Sequence, residues 1–420
     1  MRSLQELIEQ AERQRAPADA ARAARRATLP LRYWHQHAQL TTPAADATRA
    51  SKAVEAGTAP MSRLLARWQI SAEALAERLA LPVPTVEAAL VRPRRAPLVV
   101  LDGEDALADR ADVRAQGRET AVRVLHEADW ATATLRFYRP PGLDHVGAAQ
   151  DLLTVLLGAG QGRDPRAYPL DGIVFPKVEQ PEEIDWIMAT LDEVERSLRL
   201  EPGRIRLALL IESGWAMAQL PALIQRAAPR LCALILGLAD YSADLALPRI
   251  ADRDLLADWA RVQVINAAGA VGVPAIDGMT LAYPVADPAA DPAANRERFL
   301  SRMALVYQDA CHARALGMAG KWVGHPAQLF AVLLAFEQDL ADEDLEREIR
   351  HLHAYTASVQ DQAQGVTVIE GAMADRATDR HARMRLRRAV TLGRLDPLRA
   401  LQLGIIEPRE LPAAQAIWNS

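Results

Sequence analysis

The chain has 420 residues, half of them apolar, and a formal net charge of −5. This length allows one large domain or two to three smaller ones, and the apolar fraction is enough for a sizeable core. A mildly acidic chain has no bulk attraction for nucleic acid or for an anionic membrane. The two cysteines, Cys232 and Cys311, are too few for a disulfide framework.

The amino-terminal stretch MRSLQELIEQAERQR is charged throughout, which excludes a signal peptide. No apolar run approaches the length of a membrane span. The sequence therefore predicts a soluble, cytoplasmic protein of enzyme size, with no membrane partner and no nucleic-acid partner.

Residues 1–96 are rich in Ala and Arg and are predicted to form a helical amino-terminal extension. Within it, ISAEALAERLALPVPTVEAAL (70–90) has the outline of a helix-turn-helix. The second helix of this segment would have to contact the DNA bases, but it carries Glu87 and no Arg or Lys. A DNA-binding helix needs cations for base edges and phosphates. A pair of packing helices is the favoured interpretation, and a DNA-binding head at 60–95 is the alternative.

From residue 97 the pattern changes to short apolar, β-branched runs that alternate with helix-length amphipathic segments. Eight such runs over about 230 residues favour a (β/α)8 TIM barrel at 97–336, because open doubly wound sheets usually have fewer strands. The predicted strands are 97–102, 133–138, 172–178, 204–212, 231–237, 262–266, 273–277 and 321–325. Residues 337–420 are charged and predicted to form a carboxy-terminal helical lid region.

Polar side chains follow most of these predicted strands. The carboxyl ends of barrel strands form the active-site face, so these groups are expected to converge on one rim. The acidic residues of LVVLDGEDALADR (98–110) are expected to belong to this cluster. Taken alone, they would be explained as a solvent-exposed charged surface. The strand-end residues are Asp102, Glu104, Asp105, Arg136, Lys177, Glu179, Glu212, Asp240, Asp277 and His325.

Two of these carboxylates suit a hard divalent cation. Glu212 and Asp240 follow neighbouring predicted strands, and Mg²⁺ prefers one or two carboxylates together with water and substrate oxygens. A helix N-cap or a rim salt bridge is the alternative for each. Arg136 is predicted to clamp a substrate oxygen, held in place by Asp102 and Glu104.

In chain order, the segments DGEDA, FPKVE, LLIESG, LGLADYSADL, PAIDG and GMAGKWVGHPAQL resemble the citrate lyase β-subunit and malyl-CoA lyase family of the HpcH/HpaI aldolase–citrate lyase superfamily. The DxED form at 102–105 is also similar to that of malate synthases. The resemblance covers about 100–330 and implies a TIM-barrel enzyme. The amino-terminal 95 residues have no counterpart in the short citrate lyase subunits.

The resemblance also implies roles for individual residues. Glu212 and Asp240 match the family's Mg²⁺ ligands, with Mn²⁺ as an alternative metal. Arg136 matches the arginine that stabilises an enolate, and Asp102 and Glu104 match the acids that orient it. Asp375, in AMADRATDRHA, matches a lid aspartate that acts as acid or base and reaches a neighbouring subunit, so a homo-oligomer (a trimer or hexamer) is expected.

Lys177, His325 and Gln328 complete the expected substrate-binding set. The implied activity is Mg²⁺-dependent carbon–carbon lysis, or the reverse condensation, on a hydroxyacyl-CoA such as malyl- or citramalyl-CoA. The alternative within enzymes is an Mg²⁺-dependent aldolase that acts on free 2-oxo acids and aldehydes without CoA. Two further alternatives are a Schiff-base aldolase through Lys177 and a catalytically inactive barrel with a DNA-binding head.

Overall fold

The computed structural model describes residues 4–25, 29–55, 59–91, 95–250, 253–338, 342–362 and 365–420. Its centre is a closed barrel of eight parallel strands in the order β1 to β8, which confirms the predicted (β/α)8 fold. The strands are β1 (Ala38–Pro43), β2 (Leu98–Asp102), β3 (Leu135–Arg139), β4 (Gly172–Phe175), β5 (Arg206–Ile211), β6 (Leu231–Leu236), β7 (Ala275–Asp277) and β8 (Gly320–Val323).

Helices lie around the barrel, and helices also form much of the amino-terminal and carboxy-terminal segments. Those before β4 are α1 (Leu4–Arg25), α2 (Ala47–Glu55), α3 (Ala59–Arg67), α4 (Ala72–Leu79), α5 (Val83–Val91), α6 (Ala111–Glu127) and α7 (Ala148–Gly160). Those between β4 and the end of the barrel are α8 (Pro181–Leu198), α9 (Gly214–Ala227), α10 (Leu238–Asp244), α11 (Leu255–Val271), α12 (Pro292–Leu316) and α13 (Pro326–Glu337). The carboxy-terminal helices are α14 (Asp342–Gln362), α15 (Arg376–Thr391), α16 (Pro397–Gln402) and α17 (Leu411–Trp418).

The prediction missed one barrel strand and placed another strand in a segment that is helical. The first barrel strand, β1, lies inside the segment predicted to be a helical extension, and it pairs with both β2 and β8. The barrel therefore starts at residue 38 and not at 97. Its sequence AQLTTP carries polar Gln39 and Thr41, so a search for apolar runs does not detect it.

The run VQVIN (262–266) is not a strand, because it lies within helix α11. Local signals at both ends fix that helix. The Asp254 carboxylate accepts a hydrogen bond from the Ala257 amide at 2.8 Å, and Gly272, at φ 73°, ends the helix in the left-handed region.

Helices α4 and α5 form the expected packing pair. The Ser71 hydroxyl caps α4 by accepting a hydrogen bond from the Ala74 amide, and Leu75 and Val86 are fully buried. Both belong to a core that includes Phe330 and Phe336 of α13. This part of the amino-terminal segment therefore covers the outside of the barrel.

The carboxy-terminal region packs beneath the amino-terminal ends of the strands. Leu31, in a 3-10 helix just before β1, shares a small core with Leu386 and Val390 of α15. Before α15, strands β9 (Val366–Ile369) and β10 (Ala372–Asp375) form an antiparallel hairpin of their own. Among the described helices, none has both the length and the apolar character that a membrane crossing requires.

Candidate active site

A cavity of about 720 Å³ opens at the carboxyl ends of the barrel strands. This is the face at which TIM-barrel enzymes place their active sites. Charged and polar groups from several strands or their following loops line it, and they include Thr41, Asp102, Arg139, Glu212, Asp240 and His325. Of the ten strand-end residues predicted to converge, five line this cavity, namely Asp102, Asp105, Glu212, Asp240 and His325.

An arginine–carboxylate cluster forms one wall of the cavity. Asp102 ends β2 and Arg139 ends β3, and the two residues are directly paired in the sheet register. Arg139 Nε lies 2.8 Å from Asp102 Oδ1, and Nη2 lies 2.5 Å from Oδ2. Its Nη1 is 3.0 Å from Glu104 Oε2. The paired contact with Asp102 fixes the plane of the Arg139 guanidinium at the rim of the cavity.

The arginine of this cluster is Arg139, and the prediction of Arg136 was wrong. Arg136 is the second residue of β3 and lies toward the amino-terminal end of the strand. Its Nε contacts Asp171 at 3.2 Å, and its guanidinium lies over the Trp130 ring. Arg136 and Arg139 are three residues apart, which corresponds to about 10 Å along a strand and opposite faces of the sheet.

Glu104 links this cluster to Lys177 in the loop after β4. Lys177 Nζ lies 3.0 Å from Glu104 Oε1, and only 5% of the Glu104 side chain is exposed. Burial raises the pKa of Glu104 to about 7, even though Arg139 acts to lower it. Lys177 has φ 49°, and this left-handed turn directs its backbone N–H to Glu212 Oε2 at 2.9 Å.

Glu212 and Asp240 both line the cavity. Glu212 comes directly after β5, and Asp240 lies in the first turn of α10. Gly237 makes room for the first of them, because a Cβ at this position would stand 2.4 Å from Glu212 Cγ. The absence of a side chain at Gly237 therefore leaves space for Glu212.

The donor set at Glu212 and Asp240 fits a hard divalent cation. Burial, and then the charge of Glu104, raise the pKa of Glu212 to about 8, so an ionised Glu212 needs further positive charge nearby. Burial also raises the pKa of Asp240. No three His, Cys, Asp or Glu residues form a complete metal cage within the described ranges. Two carboxylates that leave positions for water and substrate are typical of Mg²⁺ sites.

His325 lies in the cavity as the N-cap of α13. Its Nδ1 accepts a hydrogen bond from the Ala327 amide at 3.1 Å, and burial lowers its pKa to about 4. The imidazole is therefore neutral at pH 7, with the proton on Nε2. His325 offers the cavity an N–H donor and not a positive charge.

We expect this burial to make the protein sensitive to acid. The unfolded chain binds a proton at His325 near the ordinary pKa of 6.5, whereas the folded chain does so only near pH 4. As the pH falls from 7 to about 4.5, His325 should lower the free energy of unfolding by about 2 kcal/mol. The His325→Asn variant keeps a capping side chain and should lose less stability over this range. Urea denaturation at both pH values measures the difference.

The matched control is His353→Asn, because His353 is exposed on α14. This variant should follow the wild-type dependence on pH. Equal acid sensitivity of His325→Asn and the wild type would contradict the expectation.

Gln328 was predicted to bind substrate, but its side chain is 1% exposed and does not line the cavity. Its Oε1 accepts a hydrogen bond from the Gly324 amide at 3.0 Å, and its Nε2 donates to the Thr280 carbonyl at 2.8 Å. The amide of Gln328 joins the loop after β7 to the loop after β8. Gln328 therefore holds these two loops together without lining the cavity itself.

Asp375 lies outside the cavity of its own chain. It ends β10 and caps α15, and its Oδ1 accepts hydrogen bonds from the amides of Ala377 and Thr378 at 2.8 and 3.0 Å. These amide contacts lower the pKa of Asp375. Asp375 is therefore the N-cap of α15.

Asp277, another predicted rim residue, is fully buried in a charge network with Lys321, Arg261 and Asp309. Lys321 Nζ lies 2.6 Å from Asp277 Oδ2 and 2.8 Å from Asp309 Oδ2. Arg261 Nε is 2.9 Å from Asp277 Oδ1. Lys321 also donates to the Gly278 carbonyl at 2.7 Å, and so holds the start of a loop that lines the cavity.

Replacing Lys321 by Met should lower the free energy of unfolding by about 3–5 kcal/mol, because two buried carboxylates lose their shared cation. Urea denaturation at pH 7 measures this loss. Lys52→Met, at an exposed position on α2, is the matched control and should change stability by less than about 0.5 kcal/mol. A loss at Lys321 as small as that of the control would contradict the expectation.

Sequence reasoning missed two cations at the cavity. Arg49 and Lys52 lie on α2 and line the cavity beside β1. Their spacing of three residues places them on one side of the helix. They were overlooked because β1 itself was not recognised, so the helix that follows it was not expected at the active-site face.

Comparisons with known proteins agree with this geometry. The HpcH/HpaI aldolase/citrate lyase family matches residues 92–296. An L-malyl-CoA/β-methylmalyl-CoA lyase of Cereibacter sphaeroides is 28% identical over 70% of this chain and 87% of its own length. A citrate lyase subunit β-like protein of Deinococcus radiodurans is 29% identical over 67% of this chain and 86% of its own length.

Among solved structures, a citrate lyase from Burkholderia xenovorans superposes with a TM-score of 0.55 at 25% identity, over 73% of this chain and 87% of its own. The CitE protein of Mycobacterium tuberculosis, solved with magnesium, acetoacetate and coenzyme A, gives a TM-score of 0.50 at 20% identity. That superposition covers 87% of this chain and 99% of the CitE chain, and it supports the fold.

Proposed function

We propose, from the premise that the barrel of this chain belongs to the HpcH/HpaI aldolase/citrate lyase family, that the protein is a carbon–carbon lyase. Its substrate is a hydroxyacyl-CoA thioester such as malyl- or citramalyl-CoA, which it cleaves or forms by condensation. The observation that carries the proposal is the meeting of Glu212 and Asp240 with the fixed guanidinium of Arg139 in one cavity.

Glu212 and Asp240 would hold Mg²⁺, or alternatively Mn²⁺. When bound, the cation supplies Lewis-acid polarisation of a substrate oxygen. Side chains of this protein would provide the remaining stabilisation of negative charge on the substrate. Arg139, kept in one orientation by Asp102 and Glu104, presents N–H donors to the negative charge that develops on the enolate oxygen. His325 offers a neutral N–H in the same cavity.

A Schiff-base mechanism through Lys177 is not favoured. Its ammonium lies 3.0 Å from Glu104. Although partial burial acts to lower it, the pKa of Lys177 is raised by the contact with Glu104. An amine held in its protonated form is a poor nucleophile. Lys177 instead helps to orient Glu104 and, through its backbone N–H, Glu212.

Arg49 and Lys52 support a thioester as the substrate rather than a free oxo acid. These cations lie at the β1 side of the cavity, where the phosphates of a CoA molecule would find charge-assisted partners. The malyl-CoA lyase relatives support the same substrate class. An aldolase that acts on free 2-oxo acids and aldehydes remains the second candidate, because the acid–arginine cluster would serve either substrate.

Asp375 is proposed to act as acid or base in the site of a neighbouring subunit. Support comes from its position outside its own cavity, at the base of an exposed hairpin. In a homo-oligomer, mixing inactive Asp375→Asn with inactive Glu212→Gln should restore activity, because some sites would then receive both intact residues. Failure of the mixture, in oligomers shown to exchange subunits, would oppose this assignment.

The test of the function is turnover of malyl-, citramalyl- and other 3-hydroxyacyl-CoA thioesters beside free 4-hydroxy-2-oxo acids, with Mg²⁺ and with EDTA. Metal-dependent cleavage of a thioester would support the proposal and identify the acyl group. Cleavage of the free acids alone would favour the aldolase. No turnover of either class by folded, metal-supplied protein would overturn both.

A further inference from the structure

The loops after β7 and β8 form a sector of the active-site cavity that differs from the rest of its wall. Three apolar side chains, Met279, Leu281 and Val285, line the cavity here. Leu281 is 50% exposed and Val285 is 46% exposed. The polar side chains that these two loops add to the lining are Tyr283 and His325. An apolar wall with few polar groups is the usual composition of a binding site for an organic ligand.

Tyr283 and His325 lie against each other. Their ring centroids are 6.1 Å apart and the rings meet edge to face. His325 Nδ1 accepts the amide of Ala327, so its proton is on Nε2. Within the part of the chain that the structure describes, no group forms a hydrogen bond with His325 Nε2 or with the Tyr283 hydroxyl. Two hydrogen-bonding groups are therefore available to a ligand.

Gly324 makes room for the Tyr283 hydroxyl. A Cβ at this position would overlap the hydroxyl oxygen and would stand 3.0 Å from Tyr283 Cζ. The backbone of Gly324 does not adopt a positive φ, so its conformation does not require glycine. The close approach of the phenol explains the glycine here.

Hydrogen bonds to the backbone hold both sides of this contact. Gln328 Nε2 lies 3.4 Å from the Ala282 carbonyl oxygen, and Gln328 Oε1 accepts the Gly324 amide at 3.0 Å. Arg302 donates to the carbonyl of Tyr283 itself. A group that is held in place before a ligand arrives loses less entropy when the ligand binds.

The barrel order places Tyr283 and His325 between two parts of the proposed thioester site. The proposed metal ligands follow β5 and β6, and the cations Arg49 and Lys52 follow β1. The loops after β7 and β8 lie between them, because β1 closes the barrel against β8. Burial raises the pKa of Tyr283, while the charge of Arg49 acts to lower it, so the phenol lies within electrostatic reach of the β1 cations.

We infer that Tyr283 and His325 bind the amide-bearing arm that joins the thioester of an acyl-CoA to its phosphates. His325 Nε2 donates to an amide carbonyl oxygen of the arm, and the Tyr283 hydroxyl pairs with a neighbouring amide group. The inference rests on the proposed function.

The chemistry of the arm matches this sector. Its methylene groups suit the apolar wall, and its amides suit the two hydrogen-bonding side chains. A free oxo acid has no such arm and would leave both groups without a partner, which costs binding energy. Tyr283 and His325 therefore favour a thioester over a free acid.

The test is calorimetric titration of the intact protein, in EDTA, with coenzyme A as the probe. Tyr283→Phe should weaken coenzyme A about three- to tenfold, as expected for the loss of one neutral hydrogen bond. Adenosine 3′,5′-bisphosphate, which lacks the arm, should bind Tyr283→Phe as it binds the wild type. The matched control is Tyr355→Phe, because the Tyr355 hydroxyl lies 3.4 Å from the Gly365 carbonyl oxygen and outside the cavity.

A second variant tests the contact itself. Gly324→Ala should displace the Tyr283 hydroxyl and weaken coenzyme A by a similar factor, with the circular dichroism of the wild type. Added to Tyr283→Phe, it should weaken coenzyme A less than about twofold further, because the contact is already lost.

The outcomes separate this inference from the proposed function. If the wild type binds coenzyme A and Tyr283→Phe binds it equally well, the inference is wrong and the proposed function is unaffected. Equal weakening of adenosine 3′,5′-bisphosphate, or equal weakening in Tyr355→Phe, would also overturn the inference. If the wild type does not bind coenzyme A, the thioester substrate class is wrong and the inference is overturned with it.

Discussion

Replacing Glu212 by Gln should lower kcat/KM for the thioester about 10³-fold or more. The variant keeps the shape of the side chain but removes one of the two anionic groups proposed to hold the cation, and metal polarisation contributes several kcal/mol to such transition states. Turnover with saturating Mg²⁺ measures the effect.

A second readout separates loss of the metal site from loss of the fold. Because burial already raises the pKa of Glu212 to about 8, the neutral Gln should not destabilise the metal-free protein. Mg²⁺ should raise the melting temperature of the wild type and leave that of Glu212→Gln unchanged. Glu182→Gln, on the exposed start of α8, is the matched control and should behave like the wild type. If Mg²⁺ raised the melting temperature of Glu212→Gln as much as that of the wild type, Glu212 would not be a metal ligand.

Arg139→Lys should lower kcat/KM about 10²-fold, whereas Arg136→Lys should change it less than about twofold. Lysine keeps the positive charge among Asp102 and Glu104 but cannot make the two-pronged contact that orients the guanidinium. Loss of one preorganised donor to developing negative charge typically costs about this much. Steady-state kinetics of the two variants, side by side, measure the contrast.

Lysine is preferred to a neutral residue at position 139 because removing the charge would leave two buried carboxylates without their partner and destabilise the fold. Both variants should therefore unfold at similar urea concentrations. If Arg136→Lys lowered activity as much as Arg139→Lys, the arginine at the end of β3 would not be the one that acts on substrate.

Local sequence signals predicted the barrel where those signals are strong. The apolar runs of β2 to β8 fall within or overlap the predicted strands, because interior barrel strands are buried on both faces. The signal failed for β1, whose inward residues Gln39 and Thr41 are polar. It also failed in the opposite sense for 262–266, where the β-branched residues lie within helix α11.

The choice between Arg136 and Arg139 shows the same limit within the site. The segment LRFYR contains both arginines, and sequence indicates only that the strand is followed by polar residues. Pairing of Asp102 with Arg139 depends on the register between β2 and β3. A shift of one residue in that register would turn every side chain to the other face.

The sequence alone determined the fold class, the acidic rim with Glu212 and Asp240, and the family resemblance. These follow from composition, from hydrophobic periodicity and from short motifs, which are local properties of the chain. Tertiary structure decided the starting strand, the arginine that pairs with Asp102 and Glu104, the cations Arg49 and Lys52 at the cavity, and the exclusion of Gln328 and Asp375 from it. Each of these depends on contacts between segments distant in sequence, and such contacts are fixed only when the barrel closes and its register is set.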